Sequence, residues 1–349
     1  MSAASPSLAD LGWDRSFLLP GELPDARPAR VTLQGRDVWR VHDGLAEHTV
    51  GVRGRLRAEP RSLPVAGDWV LLAGSVDDPV IEAVLPRRTS LVRKQAGQRT
   101  VEQVIAANVD VVLVCAPAHS LNARRLEREL TVVWESGATP VVVVTKSDLL
   151  HDDVAETLAE VRGVALGVEV LAVSSYDGDG LDEVRALMPP GVTGAAIGPS
   201  GAGKSTLVNA LVGHDLLATT AVRADHRGLH TTSARHLVPL PGGGLVLDTP
   251  GMRELVVWAD GDALDATFAD VDSLAALCRF SDCGHHAEPG CTVLAAAESG
   301  ELDEARLESW RKLQRELAHL ARKQDARLAS EERKRWARMT REGRARARE

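Results

Sequence analysis

The hydrophobic pattern of the chain predicts a small β-domain near the N-terminus. Between residues 29 and 86, short apolar segments alternate with Gly, Asp and Pro turns, which is typical of five short strands in a barrel such as an OB-fold. The expected strands are 30–33, 37–42, 48–52, 68–73 and 80–85. Arginines in this region suit phosphate contacts with nucleic acid, although a solvated spacer is the alternative. They are Arg30, Arg36, Arg40, Arg53, Arg55, Arg57 and Arg61.

Beyond residue 107 the apolar segments become continuous and alternate with helical patterns. Unbroken Val and Leu runs separated by helices are typical of a parallel α/β sheet covered on both faces. The expected strands are 108–116, 140–145, 169–173 and 192–197, and the expected helices are 122–135, 152–162, 181–188 and 206–213. A strand pair at 236–240 and 244–247 is expected to follow, and residues 86–107 are interpreted as a polar connector.

The C-terminal region is helical in pattern and basic in charge. Residues 301–339 are expected to form one or two amphipathic helices, whereas residues 333–348 hold too little apolar surface to pack. From Arg306 to Glu349 there are 15 Lys/Arg and 7 Asp/Glu, although the whole chain has a formal net charge of −8. A basic tail on an acidic body indicates a polyanionic partner such as RNA.

Length and composition limit the domain number and the compartment. A chain of 349 residues with 44% hydrophobic residues is large enough for two or three packed domains. No apolar run approaches membrane-spanning length, and residues 1–12 lack the pattern of a signal peptide. We therefore expect a cytoplasmic protein with no membrane partner, whose four cysteines are reduced.

The clearest chemical motif is G-x-x-x-x-G-K-S at Gly198–Ser205, between an expected strand and an expected helix. The glycines let several backbone N–H groups point into one concavity, and the helix N-terminus behind them favours phosphate. Lys204 is expected to reach the β- and γ-phosphates, and the Ser205 hydroxyl to bind Mg²⁺. The expected nucleotide contacts are Gly198, Pro199, Ser200, Gly201, Ala202, Gly203, Lys204, Ser205 and Thr206.

Two loops at the ends of neighbouring strands predict that the nucleotide is GTP or GDP. The first has the N/T-K-x-D pattern, in which the Asp148 carboxylate accepts two hydrogen bonds that guanine can donate and adenine cannot. The second ends the following strand, where a backbone N–H can meet guanine O6. Each motif is weak alone, but beside a P-loop they reinforce each other. The residues assigned to guanine are Thr145, Lys146, Ser147, Asp148, Ser174 and Ser175.

Motifs after the P-loop predict the contacts to Mg²⁺ and to the γ-phosphate. The sequence D-T-P-G at 248–251 fits D-x-x-G after a strand. Asp248 is therefore expected to hold Mg²⁺ through water, and the Gly251 N–H to meet the γ-phosphate. Within residues 227–233 a switch threonine is expected to close over Mg²⁺, and we assign this role to Thr232 rather than Thr231.

The order of these motifs differs from that of an ordinary GTPase, where the P-loop comes first and the guanine loops come last. Here the guanine loops at 145–148 and 174–175 precede the P-loop at 198, so the chain is circularly permuted. Function survives such rewiring because it depends on where the loops lie in space. The permutation also runs the segment after Asp248 directly into the C-terminal region, which offers a route for passing on the nucleotide state.

Three of the four cysteines cluster near the C-terminal end in the pattern C-x₄-C-x-H-x₅-C. A Cys₃His set suits one tetrahedral structural Zn²⁺, and a disulfide would leave one cysteine unpaired. The expected ligands are Cys278, Cys283, His285 and Cys291. His286 is an alternative to His285, and composition does not separate the two. Cys115 stands alone in an apolar strand and is interpreted as a small buried residue.

Together these motifs resemble the bacterial small-subunit-dependent ribosomal GTPases of the RsgA (YjeQ) family. The likeness covers nearly the whole chain: an OB-like start, permuted GTPase motifs, G-x-H-T-T, D-T-P-G and C-R-F-x-D-C-x-H-x-x-E-P-G-C. It implies a factor that binds the 30S subunit late in maturation, hydrolyses GTP when stimulated by that subunit, and leaves on hydrolysis. It also implies that the barrel and the zinc domain contact 16S rRNA.

Some positions depart from the common GTPase pattern. Thr145 stands where Asn is commonest, which is expected to loosen a loop-bracing contact, and Ser175 stands where Ala is usual. Met252 replaces the Gln that orients water in many GTPases, and a thioether cannot polarise water. The resemblance points instead to His230, beside the switch threonines, with a purely structural role as the alternative.

The fold expected from these observations is α/β: a circularly permuted P-loop GTPase domain with an N-terminal OB-like β-barrel and a C-terminal zinc-binding helical domain. The expected segments are a flexible lead-in with an anchor at Trp13 and Phe17, the barrel, the GTPase domain, and the zinc-binding and basic helical domain. Their boundaries are 1–28, 29–90, 91–260 and 261–349.

The leading functional hypothesis is a monomeric GTP hydrolase that matures the 30S subunit, with His230, Lys204 and Thr232 as catalytic residues. The alternative is a GTP-dependent RNA-binding placeholder with negligible hydrolysis, which Met252 favours. A third hypothesis is a nucleotide-driven enzyme that acts on a small molecule, but no second cluster of catalytic residues supports it.

Overall fold

The chain divides into two compact units, Met1–Val256 and Val257–Glu349. The computed structural model describes residues 5–14, 17, 26–35, 37–58, 63–76, 78–94, 102–150, 153–213, 235–248 and 261–318. None of the helices within these ranges combines the length and the apolar character that a bilayer crossing requires.

The first unit contains a closed five-stranded barrel. Its elements are β1 (Arg27–Gln34), β2 (Trp39–His42), β3 (Glu47–Val52), α1 (Gly54–Ala58), β4 (Trp69–Gly74) and β5 (Pro79–Val84). Antiparallel pairs β1–β2, β2–β3 and β4–β5 are joined by the parallel pair β3–β5, and pairing of β1 with β4 closes the ring. Val31, Val41 and Ile81 fill the interior without solvent exposure. The predicted OB-like barrel is confirmed.

The described barrel arginines are largely engaged by the barrel itself. Arg53 and Arg55 both pair with Glu82, at 2.7 and 3.1 Å, and Arg40 lies 3.3 Å from Glu47. Arg30 is only 2% exposed, so the expectation that it serves as a surface phosphate contact is wrong. A side chain on β1 faces inward or outward according to strand pairing, which composition does not reveal. Arg36 and Arg61 lie outside the described residues.

Arg30 instead joins the barrel to the segments around it. Its guanidinium donates to the carbonyl oxygens of Leu11 (2.6 Å), Gly67 (2.8 Å) and Asn108 (2.8 Å), and to the Thr193 hydroxyl (3.2 Å). These partners come from the N-terminal segment, the barrel and the α/β region. A single buried side chain thus ties three parts of the first unit together.

Aromatic rings hold the N-terminal segment against the barrel. Trp13 stacks on Phe17 at 5.2 Å and meets Trp69 edge-on at 4.8 Å. Phe17 and Trp69 are both buried. The anchor expected at Trp13 and Phe17 is therefore present in the structure.

A two-stranded antiparallel sheet lies in the region interpreted as a polar connector. It consists of β6 (Ser90–Lys94) and β7 (Glu102–Ala107). Leu91 and Ile105 are buried in the core of the first unit. The connector interpretation is wrong for these strands, because polar residues between the buried positions obscured the strand pattern.

The α/β part of the first unit has the predicted parallel sheet. Its strands are β8 (Val111–Pro117), β9 (Thr139–Thr145), β10 (Glu169–Val173), β11 (Thr193–Ile197), β12 (Arg235–Pro239) and β13 (Leu245–Asp248), and its helices are α2 (Ala123–Glu135), α3 (Val154–Val164), α4 (Leu181–Ala186) and α5 (Lys204–Val212). The order is β10-β9-β8-β11-β13-β12, with only β12 antiparallel. Through β12, which pairs with β1, this sheet continues into the barrel.

The second unit is helical in its described part. It contains α6 (Gly261–Thr267), α7 (Ala269–Ala275), α8 (Thr292–Ser299) and a helix over residues 304–318, termed α9. Arg306 on α9 donates to the Asp270 carboxylate at 2.5 and 2.9 Å and to the Thr267 carbonyl at 3.0 Å. The helix expected after residue 301 is present, and residues 319–339 lie outside the described part.

Candidate nucleotide and metal sites

The P-loop connects the central strand β11 to helix α5. Gly198, Gly201 and Gly203 have φ angles of +133°, +81° and +80°, a region that favours glycine. At Gly198 a Cβ atom would also lie 2.5 Å from the Cys115 carbonyl oxygen. Helix α5 begins at Lys204 without a side-chain cap. Its first N–H groups thus have the arrangement that binds phosphate oxygens.

Lys204 is fixed against this loop by two hydrogen bonds. Its Nζ atom donates to the carbonyl oxygens of Gly198 at 2.8 Å and Pro199 at 2.6 Å. Ser205 and Thr206 follow in the first turn of α5. The basic group and the hydroxyls are therefore grouped beside the glycine loop, as the motif predicts.

Thr145 links the first guanine loop to the P-loop. Its hydroxyl donates to the Ala202 carbonyl at 2.7 Å, and its own carbonyl accepts the Ala118 N–H at 3.0 Å. Thr145 is 2% exposed. Thr145 therefore makes a loop-bracing contact of its own, because a hydroxyl on β9 reaches the P-loop backbone directly. That this contact is looser than the one an asparagine makes stays a prediction.

The two guanine loops lie side by side, because β9 and β10 are parallel neighbours with Val173 opposite Thr145. Lys146 has a left-handed backbone (φ 61°), and a 3₁₀ turn at Ser147–Leu149 presents Asp148 to solvent. A carboxylate that hydrogen-bonds with a guanine base must be exposed in this way.

The Ser174 side chain stabilises the second guanine loop by hydrogen bonds. Its buried hydroxyl lies 3.0 Å from the Asp177 carboxylate and accepts the Asp177 N–H at 3.0 Å. These contacts fix the turn after β10. Ser175, which follows, is half-buried.

Asp248 ends β13, which pairs with β11 so that Leu247 lies opposite Ala195, three residues before the P-loop. Burial raises the pKa of Asp248 to about 6. A nearby cation favours the charged form of such a carboxyl group. The glycine cradle and this carboxylate therefore fit a nucleotide with its Mg²⁺. The predicted site residues His230, Thr232 and Gly251 lie outside the described part, as do Thr231 and Met252.

Cys115 plays no chemical role in this geometry. It lies on β8 beneath the P-loop with no solvent exposure, and burial raises its pKa to about 12. A thiol with so high a pKa is not a nucleophile at neutral pH. It is the small buried residue that the sequence predicts.

A second cluster of chemical groups lies in the other unit. One ligand atom from each of four side chains falls within 4.8 Å of the others, and these are Cys278, Cys283, His285 and Cys291. The Nδ1 atom of His285 is 3.6 Å from Sγ of Cys278 and 3.3 Å from Sγ of Cys291. Three thiols and an imidazole at these distances fit Zn²⁺. His286 is exposed and outside the cluster, so the geometry favours His285.

Sequence reasoning did not single out Glu288 in this region. Backbone N–H groups, chiefly that of His286, lower the pKa of Glu288 to about 2. The only signal in the sequence was its place in the E-P-G-C part of the cysteine motif.

The fold and the nucleotide site define a class of protein. The P-loop, the guanine loops and Asp248 all lie at the carboxyl ends of parallel strands of one sheet, where open α/β sheets bind ligands. The guanine loops nevertheless come first in the chain. This is a circularly permuted P-loop GTPase with an N-terminal barrel and a C-terminal Cys₃His cluster.

Comparison with known proteins identifies the family. The family model described as RsgA GTPase matches residues 84–258. The small ribosomal subunit biogenesis GTPase RsgA of Streptomyces avermitilis is 43% identical, covering 99% of this chain and 95% of its own. Its counterpart from Opitutus terrae is 44% identical, with 98% of both chains covered. The chain belongs to the RsgA GTPase family, and its nucleotide is therefore a guanine nucleotide.

Solved structures support the same assignment. The crystal structure of YjeQ from Thermotoga maritima is 26% identical, covers 84% of this chain and 99% of its own, and superposes with a TM-score of 0.65. YloQ, described as a circularly permuted GTPase, is 24% identical with a TM-score of 0.62 and shows the likeness of fold.

Proposed function

We propose that this chain is a GTP hydrolase that acts in the late maturation of the 30S ribosomal subunit. The observation that carries the proposal is the convergence of the P-loop, the T-K-S-D loop and Asp248 at one sheet edge. The chain matches small ribosomal subunit biogenesis GTPases over nearly its full length. The proposed partners are the 30S subunit and its 16S rRNA, and the protein is proposed to act as a cytoplasmic monomer.

The proposed roles follow from position and chemistry. The loop from Gly198 to Thr206 holds the phosphates, and Lys204 offsets charge on the β- and γ-oxygens. Asp148 selects guanine. Ser205, Asp248 and Thr232 hold Mg²⁺, which neutralises phosphate charge when it is bound, and the Gly251 N–H meets the γ-phosphate. His230 positions the attacking water.

In the second unit we propose one structural Zn²⁺ on Cys278, Cys283, His285 and Cys291. The cluster lies between α7 and α8, so a metal there fixes the loop that joins these helices. The barrel, the zinc region and the basic C-terminal segment are proposed to contact rRNA. The domain boundaries at residues 28, 90 and 260 remain predictions.

Guanine selection tests the nucleotide part of the proposal. Asp148→Asn is expected to weaken GTP binding and to gain binding of xanthosine triphosphate, because an amide pairs with the xanthine carbonyl. Asp153→Asn is the control, since Asp153 is an exposed aspartate nearby that caps α3 without a side-chain hydrogen bond. Titration with fluorescent nucleotides measures both affinities. Unchanged GTP affinity in Asp148→Asn would contradict the assignment.

A further inference from the structure

The loop that joins Cys283 to Cys291, termed the metal loop, contains a strained backbone at the proposed ligand His285. The φ angle of His285 is +54°, in the left-handed region that a residue with a Cβ atom rarely adopts. Such a conformation is unfavourable for a residue with a Cβ atom and persists only where the surroundings enforce it. His285 is 4% exposed, so its surroundings are protein.

Glu288 supplies much of that enforcement through the backbone. One carboxylate oxygen accepts the Gly284 N–H at 3.0 Å. The other oxygen accepts the N–H groups of His286 at 2.7 Å and Ala287 at 3.0 Å. The bonded peptide groups lie on both sides of His285. The carboxylate therefore closes the loop around the residue whose backbone is strained.

Helix α9 holds the same residue from the other side. The Arg311 guanidinium donates to the His285 carbonyl oxygen, and the Trp310 ring lies 5.4 Å from the imidazole. With N–H groups around His285 bound by Glu288 and its carbonyl bound by Arg311, both the backbone and the ring have defined positions. The Nδ1 atom is then directed toward the sulfur atoms of Cys278 and Cys291.

We propose that Glu288 is a positioning residue for the metal site, which acts by fixing the His285 backbone. The inference rests on the proposed zinc site. Glu288 is not in the group of four ligand atoms, and its carboxylate oxygens are used by backbone N–H groups. Residues that hold a metal ligand in place without binding the metal typically weaken metal affinity about 10–100-fold when they are mutated.

A nearby negative charge could also raise zinc affinity through space, and Asp282 separates the two explanations. Asp282 is an exposed carboxylate next to Cys283, so Asp282→Asn removes the same charge from the same region. If Glu288 acts through its hydrogen bonds, only changes at Glu288 weaken zinc binding. Glu288→Gln keeps one acceptor oxygen and should fall between the wild type and Glu288→Ala.

The experiment uses the full chain, first measuring zinc content and then competing the metal with a chromophoric chelator. We expect stoichiometric zinc in the wild type. The apparent dissociation constant should rise about 10–100-fold in Glu288→Ala, rise less in Glu288→Gln, and stay within about threefold in Asp282→Asn. Cobalt substitution should show shifted d–d absorption bands in Glu288→Ala, because the imidazole is displaced.

Far-UV circular dichroism and thermal unfolding, which include the helices of the second unit, serve as the folding control for each variant, and Glu288→Gln carries the test if Glu288→Ala does not fold. Wild-type zinc affinity in both Glu288 variants, or an equal loss in Asp282→Asn, would overturn the positioning role. A wild-type protein without stoichiometric zinc would overturn the zinc site as well. That result leaves the GTPase assignment standing, because the P-loop lies in the other unit.

Discussion

Replacement of Arg30 by Met is expected to destabilise the first unit by about 2–6 kcal/mol. The side chain makes three hydrogen bonds of 2.6–2.8 Å to backbone carbonyl oxygens. Hydrogen bonds from a charged donor contribute about 1.5–3 kcal/mol each, so the three together contribute about 5–9 kcal/mol. Met has nearly the same length but donates none of them.

Relief of the buried charge opposes this loss. Burial lowers the pKa of Arg30 from 12.5 to about 10. That shift corresponds to about 3 kcal/mol by which the site disfavours the charged form. Because Met carries no charge, the variant regains about this amount. The contribution of the hydrogen bonds still exceeds this gain, which leaves the net destabilisation of about 2–6 kcal/mol.

Arg40→Met is the matched control for this prediction. Arg40 lies on β2 and pairs with Glu47 at 3.3 Å, but both side chains are about 40% exposed. Exposed pairs contribute about 0–1 kcal/mol. Urea unfolding followed by tryptophan fluorescence should report the difference, since Trp69 lies beside Arg30. If the two variants lie within about 1 kcal/mol of each other, burial cancels the hydrogen bonds and the reasoning is refuted.

Three further predictions concern backbone and titration. Gly198→Ala should lower GTP affinity at least ~10-fold and lower the Tm, because the added Cβ would lie 2.5 Å from the Cys115 carbonyl oxygen. The control, Gly163→Ala in helix α3, should leave stability unchanged or raise it. Thr145→Val should lower the free energy of unfolding by about 1 kcal/mol and weaken nucleotide binding, because it loses the hydrogen bond to the Ala202 carbonyl. Thr145→Ser should retain wild-type stability and binding, and equal nucleotide binding by the wild type and both variants would contradict this role of the hydroxyl. Burial lowers the pKa of His42 below its usual 6.5, so the folded state favours the neutral imidazole. The stability that this preference contributes is complete above pH 6.5 and is lost as the pH falls from 6.5 through the lowered pKa of the folded state. The Tm should therefore drop between pH 7 and 5.5 by less in His42→Gln, and an equal drop would refute this.

The parallel sheet was predictable because its strands are continuous apolar runs punctuated by turns. The expected strand 169–173 coincides with β10, and Asn122 caps the helix that begins at Ala123. The P-loop and the T-K-S-D loop were predictable for another reason. Phosphate and guanine recognition require particular residue types at fixed spacing, so the motifs carry the chemistry themselves.

Other features depend on contacts between segments far apart in the chain. Arg30 resembles any surface arginine until Leu11, Asn108 and Thr193 surround it. Thr145 braces the P-loop only because β9 brings it to Ala202, 57 residues further along the chain. The choice of His285 over His286 likewise needed the loop conformation. Such contacts are properties of the packed fold and leave no periodic signal in sequence.

The most direct test of the central claim is multiple-turnover phosphate release from GTP, with ATP as control, alone and with purified 30S or 50S subunits. We predict slow release by the protein alone and strong stimulation by 30S only. His230→Ala should keep GTP binding and lose the stimulated turnover. Tight GTP binding without stimulation by 30S would contradict the assembly-GTPase account and favour a placeholder that binds without hydrolysis. A preference for ATP would contradict the guanine assignment of Thr145–Asp148.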